Sequence, residues 1–314
     1  MLSTVIIIAQ FKMKIIRSIS KQQIEKNTCL TIGNFDGVHL AHQQIIEQLI
    51  ASSKQLNLAS LIITFLPHPL IFLQHKKHLL LQTLAQKISI LKQFPIDYLL
   101  ILPFNQYTSK LSYQYFTKHI LQNYCKVQKI LLGYDFNFGN NKLGNATTLR
   151  QAGIDITEIP CFKQGNQIYS SSLARQYIRD GNIIAANNIL TRNFAVTGVV
   201  AKGRQLARTL GFPTANIAIK PMVVLPKNGV YRTRTIVDGN IFASITNFGT
   251  KPTINNGCMQ AIFETHLFNF NQDIYGKKIE ILFDDFIRPE QKFNSLDELK
   301  QQIKIDINDA KLKI

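Results

Sequence analysis

A chain of 314 residues exceeds what one hydrophobic core of roughly 250 to 300 residues supports, so two domains are expected. Apolar residues make up 46% and charged ones only 18%, which excludes a disordered tail protein. The 36 Lys and Arg outnumber the 19 Asp and Glu, and the formal net charge of +17 favours phosphate-bearing partners, either a nucleotide or a polymer.

Val5 to Ala9 is far shorter than the roughly 20 apolar residues of a spanning helix. No charged leader or cleavage site accompanies it, so the expectation is a soluble, cytoplasmic protein with no membrane partner. Met-Lys-Ile-Ile-Arg from Met13 reads as a fresh chain start, which would make the first twelve residues a dispensable extension. Cys29, Cys125, Cys161 and Cys258 lie far apart without a CxxC pair and read as reduced cytosolic thiols.

Along the first half, short apolar runs alternate with amphipathic stretches, the pattern of parallel strands and crossover helices. Strands are predicted at Thr28 to Ile32, Ser60 to Phe65, Tyr98 to Leu102 and Lys129 to Leu132, and helices from the Gly-rich loop through Gln55, at Leu84 to Gln93 and at Ser112 to Asn123. This predicts a Rossmann-like α/β unit of about five strands over residues 1–185. Beyond residue 186, β-rich runs recur at Val196 to Ala201, Val230 to Val237, Ile241 to Phe248, Ala261 to Phe268 and Ile279 to Phe283, which predicts a small antiparallel barrel over 186–314. Ser295 with Glu298 forms a capping-box pattern opening a C-terminal helix to Ala310.

Gly33-Asn34-Phe35-Asp36-Gly37-Val38-His39 lies between a predicted strand and helix, where free N–H groups and the helix dipole attract phosphate. His39 and His42, three apart, can both face one side and donate to triphosphate oxygens; bare histidines at this spacing equally often just cover a helix face. Thr64-Phe65-Leu66-Pro67-His68-Pro69 and Gly133-Tyr134-Asp135-Phe136-Asn137-Phe138-Gly139 are aromatic loops suited to a flat ring, or to ordinary rim packing. Ser171 and Ser172 precede a helical stretch carrying Arg175, a pattern that holds phosphate or simply caps a helix.

In the second half, Gly203-Arg204 leads through Arg208 to Pro213-Thr214-Ala215-Asn216. Thr214 and Asn216 present hard oxygens on one face of an extended segment, as magnesium carried by a nucleotide requires; alone, they would read as a polar turn. Glu264 in an apolar strand can take a proton from an attacking hydroxyl, or face water from an edge. His266 shares its parity, and Arg288 follows the last strand within reach of a ligand.

In this order, GNFDGVH, TFLPHP, GYDFNFG, LGFPTANI, LPKNGVY, ETHLFNFNQDIYG and IRPEQKF resemble the bacterial bifunctional riboflavin kinase/FAD synthetase family from about Met13 to the C-terminus. The resemblance implies phosphorylation of riboflavin to FMN by the second half and adenylylation of FMN to FAD by the first, with ATP as co-substrate and Mg2+ as cofactor. It makes His39 and His42 the HxGH pair for ATP phosphates, with Gly33, Asn34, Phe35 and Asp36 around the nucleotide and Ser171, Ser172 and Arg175 in the SSTxIR position. Phe65, Pro67, His68, Asp135, Asn137 and Phe138 would border the flavin of adenylylation. In the kinase half, Thr214 and Asn216 match the magnesium and ATP pair, Gly203 and Arg208 lie in the nucleotide loop, Glu264 matches the base, and Arg288 would meet flavin. Departures include Ala41 for glycine in HxGH, Ser172 for threonine, Ala174 for isoleucine, Ala207 for a loop glycine and Asn269 for aspartate.

Two other readings compete. One keeps the kinase and weakens the adenylyltransferase through Ala41. The other, nucleic-acid binding, has the charge in its favour; against it stand the spread of Lys and Arg over both halves and the lack of a zinc-finger or RRM pattern, so no nucleic-acid partner is expected. Neither a Walker A nor a GxGxxG pattern occurs.

Overall fold

A computed structural model describes residues 11–74, 79–165, 167–202, 211–219, 222–252 and 259–312. Two compact units divide the chain, residues 1–76 with 83–169 and residues 77–82 with 170–314. The expected border at residue 186 falls within the helix Ile183–Leu190.

The first unit is built on β1 (Lys14–Ile16), β2 (Thr28–Ile32), β3 (Ala59–Leu66), β4 (Tyr98–Pro103), β5 (Val127–Gly133) and β6 (Asp155–Ile159). They form one parallel sheet in the order β1-β4-β3-β2-β5-β6. Every residue of β2 is buried, as befits a strand covered on both faces. Leu30, Ile32, Leu61 and Ile63 enter one apolar cluster, while Cys29 and Ile62 enter the other with Ile46 and Leu49 of α1 (Leu40–Gln55). Short α2 (Pro69–Gln74) and α3 (Leu84–Leu91) lie between β3 and β4 in sequence. Edge strands β1 and β6 escape a reading by apolar runs, because one has only three residues and the other mixes Asp155, Thr157 and Glu158 into its pattern.

The predicted helix at Ser112 to Asn123 is α4 (Tyr113–Tyr115) running into a π-helical stretch, Phe116–Tyr124. There Thr117 Oγ1 donates to the Tyr113 carbonyl, and Cys125 N–H reaches the Ile120 carbonyl five residues back. The unit continues through α5 (Ala146–Gln151) and the hairpin β7 (Lys163–Gln164) and β8 (Gln167–Ile168).

The second unit starts with α6 (Ser171–Asp180) and α7 (Ile183–Leu190), separated by Gly181 in the left-handed region at φ 81°. A closed antiparallel barrel follows, made of β9 (Phe194–Ala201), β10 (Ala215–Ile219), β11 (Gly229–Val237), β12 (Asn240–Pro252), β13 (Met259–Leu267) and β14 (Lys278–Arg288). Closure removes the exposed edges that would otherwise pair with other chains. Its interior is partly polar: the hydroxyls of Thr235, Ser244, Thr233, Thr246 and Thr265 form a continuous buried chain at 2.8–2.9 Å. Mutual bonding removes the penalty that isolated hydroxyls would carry there.

At the C-terminus lies α8 (Leu296–Leu312). Ser295 accepts from Glu298 N–H as the capping pattern predicts, but the Glu298 carboxylate reaches Asn294 N–H, one residue before the cap. Arg288 and Asp306 tie α8 to β14 through two hydrogen bonds of 2.8 and 2.7 Å. Residues 79–82 also belong to this unit, with Leu80 bridging Val223 and Gln82 accepting from Arg192.

Candidate active sites

In the parallel sheet, chain order runs from β2 through β3 to β4 on one side and resumes with β5 on the other. That reversal is a topological switch point, where the loops leaving the strand C-termini diverge and leave a crevice. The 33–39 loop leaves β2, the 133–139 loop leaves β5, and the TFLPHP segment ends neighbouring β3. Sheet order therefore brings the three predicted segments to one edge.

The 33–39 loop has an unusual backbone. Phe35, Gly37 and Val38 take φ values of 45°, 83° and 40°. Glycine accommodates this freely, but Phe35 and Val38 incur strain of order 1–3 kcal/mol each. Both side chains are buried in the core with Ile46 and Leu49, and that packing holds the turn against its own preference. Gly33 allows close approach of the Phe35 ring, since a Cβ there would lie 3.2 Å from it. Gly33 N–H donates to the Ile63 carbonyl and so ties the loop to β3. Asp36 and His39 are buried, while Gly33, Asn34 and His42 are half-buried.

His39 sits at the N-cap of α1, and its side chain makes no capping bond. Its ring stacks on His42 with centroids 3.7 Å apart and planes 24° from parallel, and Phe35 leans on His42 at 5.1 Å. Helical spacing thus gives one shared imidazole face at a helix N-terminus, the place where backbone N–H groups and the dipole favour polyphosphate. Ala41 occupies the second position of α1 and is half-buried.

Of the aromatic loops, Phe65 makes an edge contact with Phe104, which also meets Phe72; the sequence did not single out either partner. Pro67 follows a cis Leu66-Pro67 bond, and buried His68 accepts from Leu70 N–H through Nδ1 at the start of α2. Phe138 is 8% exposed, belongs to the apolar cluster and stacks with Phe136, while Asp135 and Asn137 are exposed beside it.

Ser171, Ser172 and Arg175 lie in α6 and belong to the second unit. Ser170 is the side-chain cap, accepting from Leu173 N–H, and buried Arg175 donates from Nε to the Leu79 carbonyl at 2.6 Å. Gly203 and Arg208 lie outside the described residues.

The barrel site rests on register. Asn216 on β10 pairs with Glu264 on β13, which pairs with Asn247 on β12, so the three share one row on the side opposite the buried Thr265 and Thr246. Asn247 was not found from sequence, because only the β12–β13 register reveals it. His266 accounts for its shared parity with Glu264 by a 2.8 Å hydrogen bond to the Pro213 carbonyl, which fixes the residue before Thr214. Since a carbonyl only accepts, Nδ1 carries the proton. Thr214, Asn216 and Glu264 are half-buried, open enough for a ligand yet partly desolvated. Arg288 directs its guanidinium to Asp306 and α8. Among the described residues, no group of three or more His, Cys, Asp or Glu side chains could hold a metal ion.

Fold and sites together define a two-unit enzyme, a Rossmann-like nucleotidyltransferase domain followed by an antiparallel barrel with a C-terminal helix. Residues 21–173 match the FAD synthetase family model and residues 190–314 the riboflavin kinase model. A bifunctional riboflavin kinase/FMN adenylyltransferase of Buchnera aphidicola is 37% identical over 307 residues, covering 95% of this chain and 98% of its own length. The enzyme of that description from Escherichia coli K12 is 36% identical over 302 residues, covering 94% and 96%. A solved structure described as a macrolide-efflux protein from Streptococcus pneumoniae superposes with a TM-score of 0.86 at 27% identity, covering 95% of this chain and 98% of that one. The chain belongs to the bifunctional riboflavin kinase/FMN adenylyltransferase family. It phosphorylates riboflavin to FMN with ATP and adenylylates FMN to FAD, releasing pyrophosphate; nothing favours a kinase-only chain.

Proposed function

We propose that the two activities divide between the two units, with the kinase chemistry centred on Glu264. Its carboxylate takes the proton of the ribityl 5′-hydroxyl as the oxygen attacks the γ-phosphorus of ATP, giving FMN and ADP. The observation that carries this reading is the Asn216–Glu264 pairing across β10 and β13, which sets a carboxylate beside neutral oxygen donors. The Thr214 hydroxyl and Asn216 amide are hard, half-buried oxygen donors and fit Mg2+ that arrives with the nucleotide, where the ion would offset phosphate charge. His266 keeps the Pro213 turn in place so that Thr214 meets the nucleotide.

In the α/β unit, the FMN phosphate attacks the α-phosphorus of ATP directly, so no protein nucleophile is required. His39 and His42 neutralise the charge that develops as pyrophosphate departs, and the 33–39 turn supplies backbone donors. Flavin lies against the TFLPHP and GYDFNFG loops. Cytoplasmic residence agrees with the free thiols of Cys29, Cys125 and Cys161, and among the described residues no helix is long and apolar enough to cross a membrane. Incubating the protein with riboflavin, ATP and magnesium, then separating FMN and FAD by chromatography, tests the scheme. Glu264→Gln should stop FMN formation from riboflavin and leave FAD formation from supplied FMN intact; equal loss of both sinks the division of labour.

A further inference from the structure

A lysine is almost never fully buried without a partner, yet Lys87 of α3 is 8% exposed. Its ammonium donates to the Asn34 carbonyl at 2.6 Å and lies 3.5 Å from Thr64 Oγ1, which donates to that carbonyl at 3.2 Å. Asn34 opens the strained turn of Phe35, Gly37 and Val38 that leads to His39. Two donors from two different elements therefore converge on the carbonyl at the head of that turn. The base of Lys87 is itself fixed, because Thr83 and Gln86 form a reciprocal capping box at the start of α3.

We propose that Lys87 is a positioning residue for adenylylation: through the Asn34 carbonyl it holds the 33–39 turn in the shape that receives the ATP phosphates. The proposal rests on the reading of that turn as the nucleotide site. Burial brings the Lys87 ammonium down to about 8, partly offset by the attraction of Asp36, so the side chain stays charged at neutral pH despite its surroundings. Such a cation is poorly explained as packing, since an apolar side chain of similar volume would avoid the desolvation.

The test uses the full chain and supplied FMN, with ATP and FMN varied separately. Lys87→Met should raise the ATP KM by about tenfold or more while the FMN KM stays within about twofold, because a displaced backbone misplaces phosphate but not flavin. Thr64→Val, which removes the weaker donor, should raise the ATP KM by about threefold. Hydrogen exchange of the β2 and β3 amides establishes that the sheet is folded in each variant. An unchanged ATP KM in folded Lys87→Met, or a fall in kcat alone, overturns the proposal; if that variant does not fold, an unchanged ATP KM in Thr64→Val overturns it. His39→Ala separates the two levels of inference. If it leaves adenylylation intact, the nucleotide reading of the turn fails, whereas its collapse beside a normal Lys87→Met defeats only the role of Lys87.

Discussion

The two candidate sites are built in opposite ways. In the barrel, Asn216, Glu264 and Asn247 stand on adjacent strands, and antiparallel register alone aligns them. In the α/β unit, the corresponding histidines sit at the N-cap and in the first turn of α1, fed by a loop whose backbone is held in unfavourable conformations by buried Phe35 and Val38 and by Lys87 beneath Asn34. A strand site is sensitive chiefly to the side chain removed, because its backbone is set by ladder bonds on both sides. A loop site depends equally on residues that never meet the substrate, since they choose the shape of the backbone that does.

The largest effects should come from the reacting groups and should not cross between units. Loss of a general base typically removes about 10²- to 10⁴-fold in rate, so if Glu264 is the base proposed here, Glu264→Gln should lower kinase kcat by at least about 10²-fold. Asn247→Ala tests whether the row extends to β12; we expect a rise in riboflavin or ATP KM without loss of protein. In the other unit, if His39 and His42 donate to the departing phosphate as proposed, His39→Ala or His42→Ala should lower adenylylation by about 10²-fold, with riboflavin phosphorylation unchanged. A kinase rate that falls in step with adenylylation in the histidine variants would erase the contrast.

How much of this was readable beforehand follows from the same contrast. The loop motif is contiguous, so GNFDGVH, its two histidines and its place between strand and helix were all legible. What supports it is not contiguous: Lys87 lies 53 positions from Asn34, and no local pattern marks a lysine in an amphipathic helix as buried. The barrel site was legible as separate fragments around Thr214, Asn216 and Glu264, whereas Asn247 needed the register. The bonds from Arg288 to Asp306 were not legible in the same way, because their partner lies on a helix later in the chain. The capping reach of Glu298 missed by one residue because a side chain of that length serves either N–H.

Lys87 also allows the loop side of the comparison to be probed by stability. Its ammonium titrates at about 8 when folded and at 10.5 as an unperturbed side chain, so between these values the unfolded chain binds more protons. The penalty of holding the folded cation is therefore fully present below about pH 8 and is relieved as pH rises towards 10.5. Relative to Lys87→Met, the wild type should gain about 2 kcal/mol of unfolding free energy between pH 7 and pH 10, at roughly 1.4 kcal/mol per pH unit over the affected window. Urea titrations of both proteins at the two pH values measure the difference, and groups common to both cancel. A constant difference would mean that Lys87 is not the buried cation its surroundings describe.

The smallest effect concerns Ala41, where the first turn of α1 departs from the family pattern. Ala41 places a methyl at the second position of α1, close to the N–H groups that would face phosphate in the proposed nucleotide site. Ala41→Gly removes that methyl and frees the backbone, which favours closer approach, but it also weakens the first helical turn by up to about 1 kcal/mol. The two effects oppose each other, and the first turn has the least helical hydrogen bonding to lose. We therefore expect the ATP KM of adenylylation to fall by about two- to threefold, with the kinase reaction serving as the unaffected reference in the same sample. A rise in ATP KM would mean that helix integrity outweighs access here, so that alanine suits a turn already strained by Phe35 and Val38 better than glycine does. Either sign is informative only for the loop site, because no comparable change on β10 or β13 alters backbone freedom without also breaking the ladder that aligns Asn216 with Glu264.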